Sequence, residues 1–291
     1  MRILVVGGTK FIGPHVVRRL AIQGHEVTVY HRGVTEADLP RTVRHVHSPA
    51  AQRPVLGFQK EVLEPAPEVI IHMTLIGAQD AQAVVDAFRG RSRRLVAVSS
   101  GDVYRAYGRF TGLEPGPIEA GLLSEASPLR SVLFPYRSQA QSPDDWLYSY
   151  EKILVERAVV SEAGLESVVL RLPKVYGPGG NASLATVYEA SHYPYWRWTH
   201  GYVENVAAAI ALAALHPGAA GQVYNVGEPY TPTIAERLRS LPPSPVPSAQ
   251  MNGNFAQDIA YDTSWIRRDL DYEEPITYQE GLRRTLASLA P

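Results

Sequence analysis

The stretch from Met1 to Gly13, Met-Arg-Ile-Leu-Val-Val-Gly-Gly-Thr-Lys-Phe-Ile-Gly, constrains this chain more than any other. Its apolar run, Ile3 to Val6, reads as a strand buried on both faces. The run stops at Gly7-Gly8, and apolar residues then return at helical spacing as Ile12, Val16 and Leu20. Strand, glycine turn and helix are the setting in which backbone approaches a pyrophosphate. Glycine has no Cβ to hold the ligand off, and a helix N-terminus offers free N–H groups and positive dipole. Lys10 stands where a middle glycine is expected, so by itself the G-x-x-x-x-x-G spacing fits an ordinary βα turn as well.

The rest of the chain decides between these readings. Glu26 to Tyr30, Val43 to Val46, Glu68 to His72, Arg94 to Val98, Ser167 to Leu172 and Gln222 to Val226 read as further strands. Helical patterns lie at 78–88, Leu147 to Ala163, Val203 to Leu215, Thr263 to Asp271 and Tyr278 to Leu289. Strands alternating with helices predict an α/β fold, a doubly wound parallel sheet with ligands at the C-terminal strand ends. Residues 105–147 are rich in Gly, Pro and Ser and read as a long loop-like insertion, of the kind that forms lids or binding loops. Pro242 to Pro247 reads as a linker or rigid turn.

Composition narrows the function classes. The chain has 291 residues, 45 % hydrophobic and 20 % charged, enough to bury a sizeable core. A net charge of −1 argues against a nucleic-acid partner. There is no cysteine, which excludes disulfides, thiolate catalysis and cysteine-based zinc sites. The longest apolar run, Val206 to Leu215, is far short of the ~20 residues of a membrane span. With a buried strand starting at residue 2 there is no room for a signal peptide, and a cytoplasmic protein is expected.

Several polar residues carry chemistry. His31-Arg32-Gly33 follows the second strand about twenty residues past the glycine turn, where an acidic residue would hold the ribose of NAD. Arg32 stands there instead, and a guanidinium pairs with a 2′-phosphate. NADP is therefore expected over NAD, against the bland reading of a solvated surface arginine. His45 and His47 alternate onto one face of the third strand. With no further ligands signalled nearby they read as edge-strand histidines, and no metal is expected. Tyr148 and Lys152 are spaced i, i+4, which puts them on one face of the predicted 147–163 helix. A phenol titrates near 10, and a neighbouring ammonium favours its phenolate, so the pair suits proton transfer with Ser100 hydrogen-bonded to the reacting oxygen. Tyr150 lies two residues from Tyr148, but residues i and i+2 of a helix do not share a face, so the spacing to Lys152 selects Tyr148.

These pieces together resemble the extended short-chain dehydrogenase/reductase superfamily, in its NAD(P)-dependent epimerase/dehydratase branch. The matching segments run in the family's order: Gly7 to Gly13, Val69-Ile-Ile-His72, Ser99-Ser-Gly-Asp-Val-Tyr104, Tyr148-x-x-x-Lys152 with Glu156, Leu170 to Pro178, Gly201 to Val206, Tyr224-Asn-Val-Gly227 and Asp262 to Arg267. The Lys10 variant looks like the subgroup whose loop reads Gly-Gly-Thr-Arg/Lys-Phe-Ile-Gly, which includes bacterial oxidoreductase-like proteins and chloroplast RNA-binding relatives. The resemblance implies that Ser100, Tyr148 and Lys152 are catalytic. It implies cofactor contacts from Gly7, Thr9, Lys10, Phe11, Ile12, Gly13, Arg32, Lys152, Pro173 and Val175, with Asp102 placed to touch substrate. It implies a cofactor domain over 1–176 and 201–228, and a small substrate lobe over 177–200 and 229–291. Hydride transfer between nicotinamide and a carbinol or carbonyl of a small or sugar-like molecule is the expected activity. A homodimer is implied by the family's habit of pairing through the tyrosine-bearing helix. Against the family's pattern, Lys10 replaces a glycine, Ser48 to Gln52 offers no aspartate to contact adenine, and Asn181 to Trp198 is short. Trp196 and Trp198 there line a smaller substrate pocket or pack a lobe core. The alternative function is a catalytically silent NADP sensor or RNA binder.

Overall fold

The computed structural model describes residues 1–49, 54–160, 164–243 and 251–289. Its centre is a parallel sheet of seven strands. In chain order the elements open with β1 (Arg2–Val6), α1 (Ile12–Ile22), β2 (Glu26–His31), β3 (Arg44–His47), α2 (Lys60–Leu63), β4 (Val69–His72), α3 (Ala78–Phe88) and β5 (Arg94–Ser100). There follow α4 (Arg105–Thr111), α5 (Trp146–Ser149), α6 (Lys152–Val160), β6 (Glu166–Leu172), β7 (Lys174–Tyr176) and α7 (Ala185–Glu189). The chain closes with β8 (His200–Tyr202), α8 (Val203–Leu215), β9 (Val223–Asn225), α9 (Ile234–Arg239), α10 (Ser264–Leu270) and α11 (Tyr278–Ala287).

The strand order is β3-β2-β1-β4-β5-β6-β9, so the direction of winding reverses between β1 and β4. That reversal opens a crevice at the carboxyl ends of the central strands. Ile3 to Val6 are buried, as a strand covered on both faces requires. One face carries α1 and α8 over Val5, Val29, Ile71 and Leu170. The other carries α3 and α6 over Leu4, Tyr30, Ile70 and Val169. Helix α8 is alanine-rich and buried nearly all round, which lets it lie close to the sheet and to α1.

A third apolar cluster sits past the strand ends. Phe110, Trp196, Tyr202, Ile234, Ile259 and Leu282 pack together there, beside the two-stranded pair of β7 and β8. It gathers residues from α4, α9, α11 and the 251–261 segment. Its rings pack in stacked and edge-on pairs, Phe110 lying nearly flat on Trp196 with centroids 5.0 Å apart.

Two expectations from the sequence change here. The insertion 105–147 opens with a helix, α4, which Gly112 ends in a left-handed turn. The single helix expected over 147–163 is two pieces: α5 ends at Ser149, Tyr150 is extended (φ −64, ψ 116), and α6 starts at Lys152. The break comes from Glu151. Its carboxylate forms a buried ion pair with Arg130 at 3.0 Å. It also accepts hydrogen bonds from the backbone N–H groups of Phe134 and Ile153. A side chain drawn into that pocket caps α6 in place of continuing the helix. The last turn expected up to Ala163, and most of the Pro242–Pro247 linker, lie outside the described residues.

Candidate active site

The glycine loop lies at the crevice. Gly7 has φ +90, and a Cβ there would lie 2.6 Å from the Thr74 methyl. Gly13 lets α1 press onto the loop, since a Cβ on it would come within 2.6 Å of the Gly8 carbonyl carbon. No side chain caps α1 and its first turn holds no acidic residue, so this N-terminus is left to an anion. Phe11, at φ 49, turns its ring against Gly180. Ile12 is half-buried behind it, and Thr9 is buried with its hydroxyl 3.1 Å from that of Thr35. Lys10 is exposed. Arg32 is half-buried just beyond β2. This cradle fits a dinucleotide's phosphates. Ser48 is buried just past β3, while residues 50–52 of the segment that lacks an adenine-contacting aspartate lie outside the described residues.

Across the crevice, Ser100 ends β5 and Asp102 sits in the one-turn helix that follows. Lys152 is buried, its Nζ donating to the carbonyls of Leu75 and, at 3.0 Å, Val98. These bonds fix the ammonium beneath the ends of β4 and β5. The phenol brought to this point is that of Tyr150. Its hydroxyl donates to Asp102 Oδ2 at 2.9 Å, and the Asp102 N–H donates in turn to Ser100 Oγ at 3.3 Å. Lys152 Nζ lies 5.7 Å from its ring centroid. Tyr136, from the insertion, donates to the same Asp102 oxygen at 3.0 Å and lies 3.2 Å from the Tyr107 hydroxyl. Burial, and then the Asp102 carboxylate, push the Tyr150 phenol well above its usual value. Burial also pushes the Asp102 carboxyl up, and its Oδ1 is buried without a hydrogen-bond partner.

Tyr148 lies elsewhere. It is 38 % exposed, with the Arg137 guanidinium 4.6 Å from its ring centre. It lines a cavity of about 970 Å³ between Ser48, Phe58, Gly77, Phe134 and Trp146, whose lining does not include Ser100 or Tyr150. The i, i+4 argument that selected Tyr148 presumes an unbroken helix, and the break at Tyr150 removes its premise.

Behind the site runs a strut built from the recognisable motifs. Arg171 pairs with Glu156 at 2.7 Å, and Ser99 donates to that carboxylate. Arg171 also reaches the Tyr104 hydroxyl, which donates to Asn225 Oδ1 at 2.6 Å. Burial pushes the Tyr104 phenol up to about 12, so it stays a donor. At the end of β4, His72 is buried beside Lys152 and held down at about 3, first by burial, so it stays neutral. Pro173 and Val175 are half-buried at the start of β7. Lys174, between them, carries its ammonium 5.5 Å from the Trp198 ring centre. Trp198 is half-buried against Tyr107, whereas Trp196 is 2 % exposed with its indole N–H donated to the Gln257 carbonyl. Trp196 packs the lobe.

Tyr136, Arg130 and Glu151 carry no local motif. Arg130 is brought to Glu151 from 21 residues away, and nothing in the intervening composition signals it.

Comparison with known proteins fits this arrangement. The sequence model of the NAD dependent epimerase/dehydratase family matches residues 3–227, and the chain belongs to that family. Among curated relatives, the 2-alkyl-3-oxoalkanoate reductase of Stenotrophomonas maltophilia (strain K279a) is 25 % identical, with all of both chains covered. The 2'-dehydrokanamycin reductase of Streptomyces kanamyceticus is 27 % identical over 62 % of this chain and 45 % of its own length. Among solved structures, UDP-glucose 4-epimerase of Thermotoga maritima with UDP-glucose aligns at a TM-score of 0.70 and 18 % identity, covering 99 % of this chain and 98 % of that one. The Bacillus cereus UDP-glucuronic acid 4-epimerase with UDP-glucuronic acid and NAD aligns at 0.69 and 16 % identity, covering 99 % and 98 %. At such identities these structures speak for the fold, a Rossmann-type sheet. The chain is accordingly an enzyme of the NAD(P)-dependent epimerase, dehydratase and reductase group.

Proposed function

We propose that this enzyme reduces a carbonyl, or oxidises the matching carbinol, on a small substrate, with Tyr150 as acid/base and NADP as preferred cofactor. The observation that carries the reading is the Tyr150 phenol held on Asp102 beside Ser100, its ring centroid 5.7 Å from the fixed ammonium of Lys152. Bound in the crevice, the nicotinamide supplies or accepts the hydride. Ser100 donates a hydrogen bond to the substrate oxygen and polarises it. Tyr150 gives its proton to that oxygen as the carbon is reduced, and takes it back in the reverse direction. Lys152 offsets the negative charge left on the phenolate. The raised value of Tyr150 keeps the proton in place at neutral pH, which suits reduction. The names of the two curated relatives, both reductases, support the same direction. Arg32 supports NADP, because it follows β2 at the chain position where the ribose contact is expected, and a guanidinium pairs with a 2′-phosphate. Trp198 and Tyr107 border the substrate side of Asp102.

The test is steady-state reduction of a panel of oxo-acyl and oxo-sugar substrates. Tyr150→Phe is expected to lower kcat by about a hundredfold or more, while Tyr148→Phe keeps most of the activity. The reverse pattern would return the role to Tyr148. In the same series, Arg32→Ala is expected to weaken NADPH by about tenfold to a hundredfold and to leave NADH nearly alone. Equal losses would reject the 2′-phosphate assignment.

A further inference from the structure

Strands β2 and β3 pair with His31 opposite His47. Residues two apart on a strand share a face, so His31, His45 and His47 line up on one side of the sheet edge. The loop after β2 folds back over them and brings Glu36. His31 Nε2 lies 3.1 Å from His45 Nδ1 and 3.9 Å from Glu36 Oε2. His45 Nδ1 lies 3.5 Å from that same oxygen. The other carboxylate oxygen is 3.1 Å from His47 Nε2.

We propose that His31, Glu36 and His45 bind a divalent transition metal of the zinc type. A four-coordinate zinc with bonds near 2.0–2.1 Å holds neighbouring ligand atoms about 3.4 Å apart, and the three separations bracket that spacing. Two imidazoles and a carboxylate are the donor set of a borderline cation, not of calcium or magnesium, which take oxygen. Among the described residues this is where three such side chains converge. His31 is buried and burial holds its imidazole below the usual value, so it offers a neutral ligand. His47 steadies the carboxylate through its second oxygen, as outer partners of metal ligands do. Binding places the His31 proton on Nδ1 and gives up the long 3.3 Å contact that nitrogen accepts from the Gly33 N–H. The sequence shows His45 and His47 on one strand only. The missing ligands come from the next strand and its loop.

The experiment is calorimetric titration of chelator-treated, tag-free protein with zinc alone. One saturable equivalent is expected. His45→Ala and Glu36→Gln, both at exposed positions, are expected to weaken it by about tenfold or more. His192→Ala, at another exposed histidine, is expected to bind as the unaltered chain does. Thermal melts check that each variant folds. Absence of saturable binding, or binding that His45→Ala and Glu36→Gln leave unchanged, would overturn the proposal.

Discussion

Asp102 is the charged group in contact with the Tyr150 phenol. Its carboxylate accepts from both Tyr150 and Tyr136, and a negative charge beside a phenol disfavours the phenolate. The Tyr150 value is raised first by burial and next by this carboxylate. Removing the charge therefore lowers the Tyr150 value and makes the base form available at lower pH. In Asp102→Asn the rising limb of the pH profile for carbinol oxidation is expected to move toward acid, as measured with substrate and cofactor saturating. A limb that stays in place, or moves toward alkali, would show that Asp102 does not act on this phenol. At this scale the sequence offered two tyrosines, and the helix that chose between them is broken in the structure. Ser100, Asp102 and Lys152 are brought together as their motif spacing suggests. Tyr150, and not Tyr148, lies against Asp102, where a backbone break beside the Arg130–Glu151 pair separates the two tyrosines.

The break is held in place at the level of elements. Gly77 caps the start of helix α3, and a Cβ on it would lie 2.6 Å from the Ser149 carbonyl oxygen. The Glu151 N–H donates to the Ile76 carbonyl at 2.8 Å. The turn before α3 thus serves as the seat on which the Ser149–Glu151 segment rests. Gly77→Ala is expected to push that segment off its seat, lowering kcat about tenfold and stability by about 1–3 kcal/mol. Gly57→Ala is the control, since nothing lies near a Cβ there. Kinetics and denaturant melts of the two variants should differ, and matching results would show that the close approach does not matter. Elements with strong apolar periodicity, such as β1, α3 and α8, were legible from sequence. The α5–α6 break was not, because glutamate is an ordinary helix former and the partner of Glu151, Arg130, lies 21 residues away.

At the scale of the whole molecule, Arg94 ties the sheet to its helical layer. Its side chain is fully buried. It donates to the carbonyls of Ala213, Ala214 and His216 at the end of α8, and pairs with Glu166 at 2.8 Å. A cation at a helix C-terminus meets the negative end of the dipole and satisfies carbonyls that have no helical partner. Arg94→Met is expected to leave those carbonyls unpaired and to cost about 3 kcal/mol in urea unfolding. A loss below about 1 kcal/mol would mean that water replaces the guanidinium readily.

The sequence by itself determined the parallel strand–helix alternation, the glycine turn and the family, since apolar periodicity and short motifs are local properties of the chain. Tertiary structure decided which tyrosine lies against Asp102, which tryptophan is core, and that histidines of two strands converge with Glu36. Each of these depends on contacts between residues far apart in sequence, or on a buried charge seeking its partner, and neither is written in local spacing.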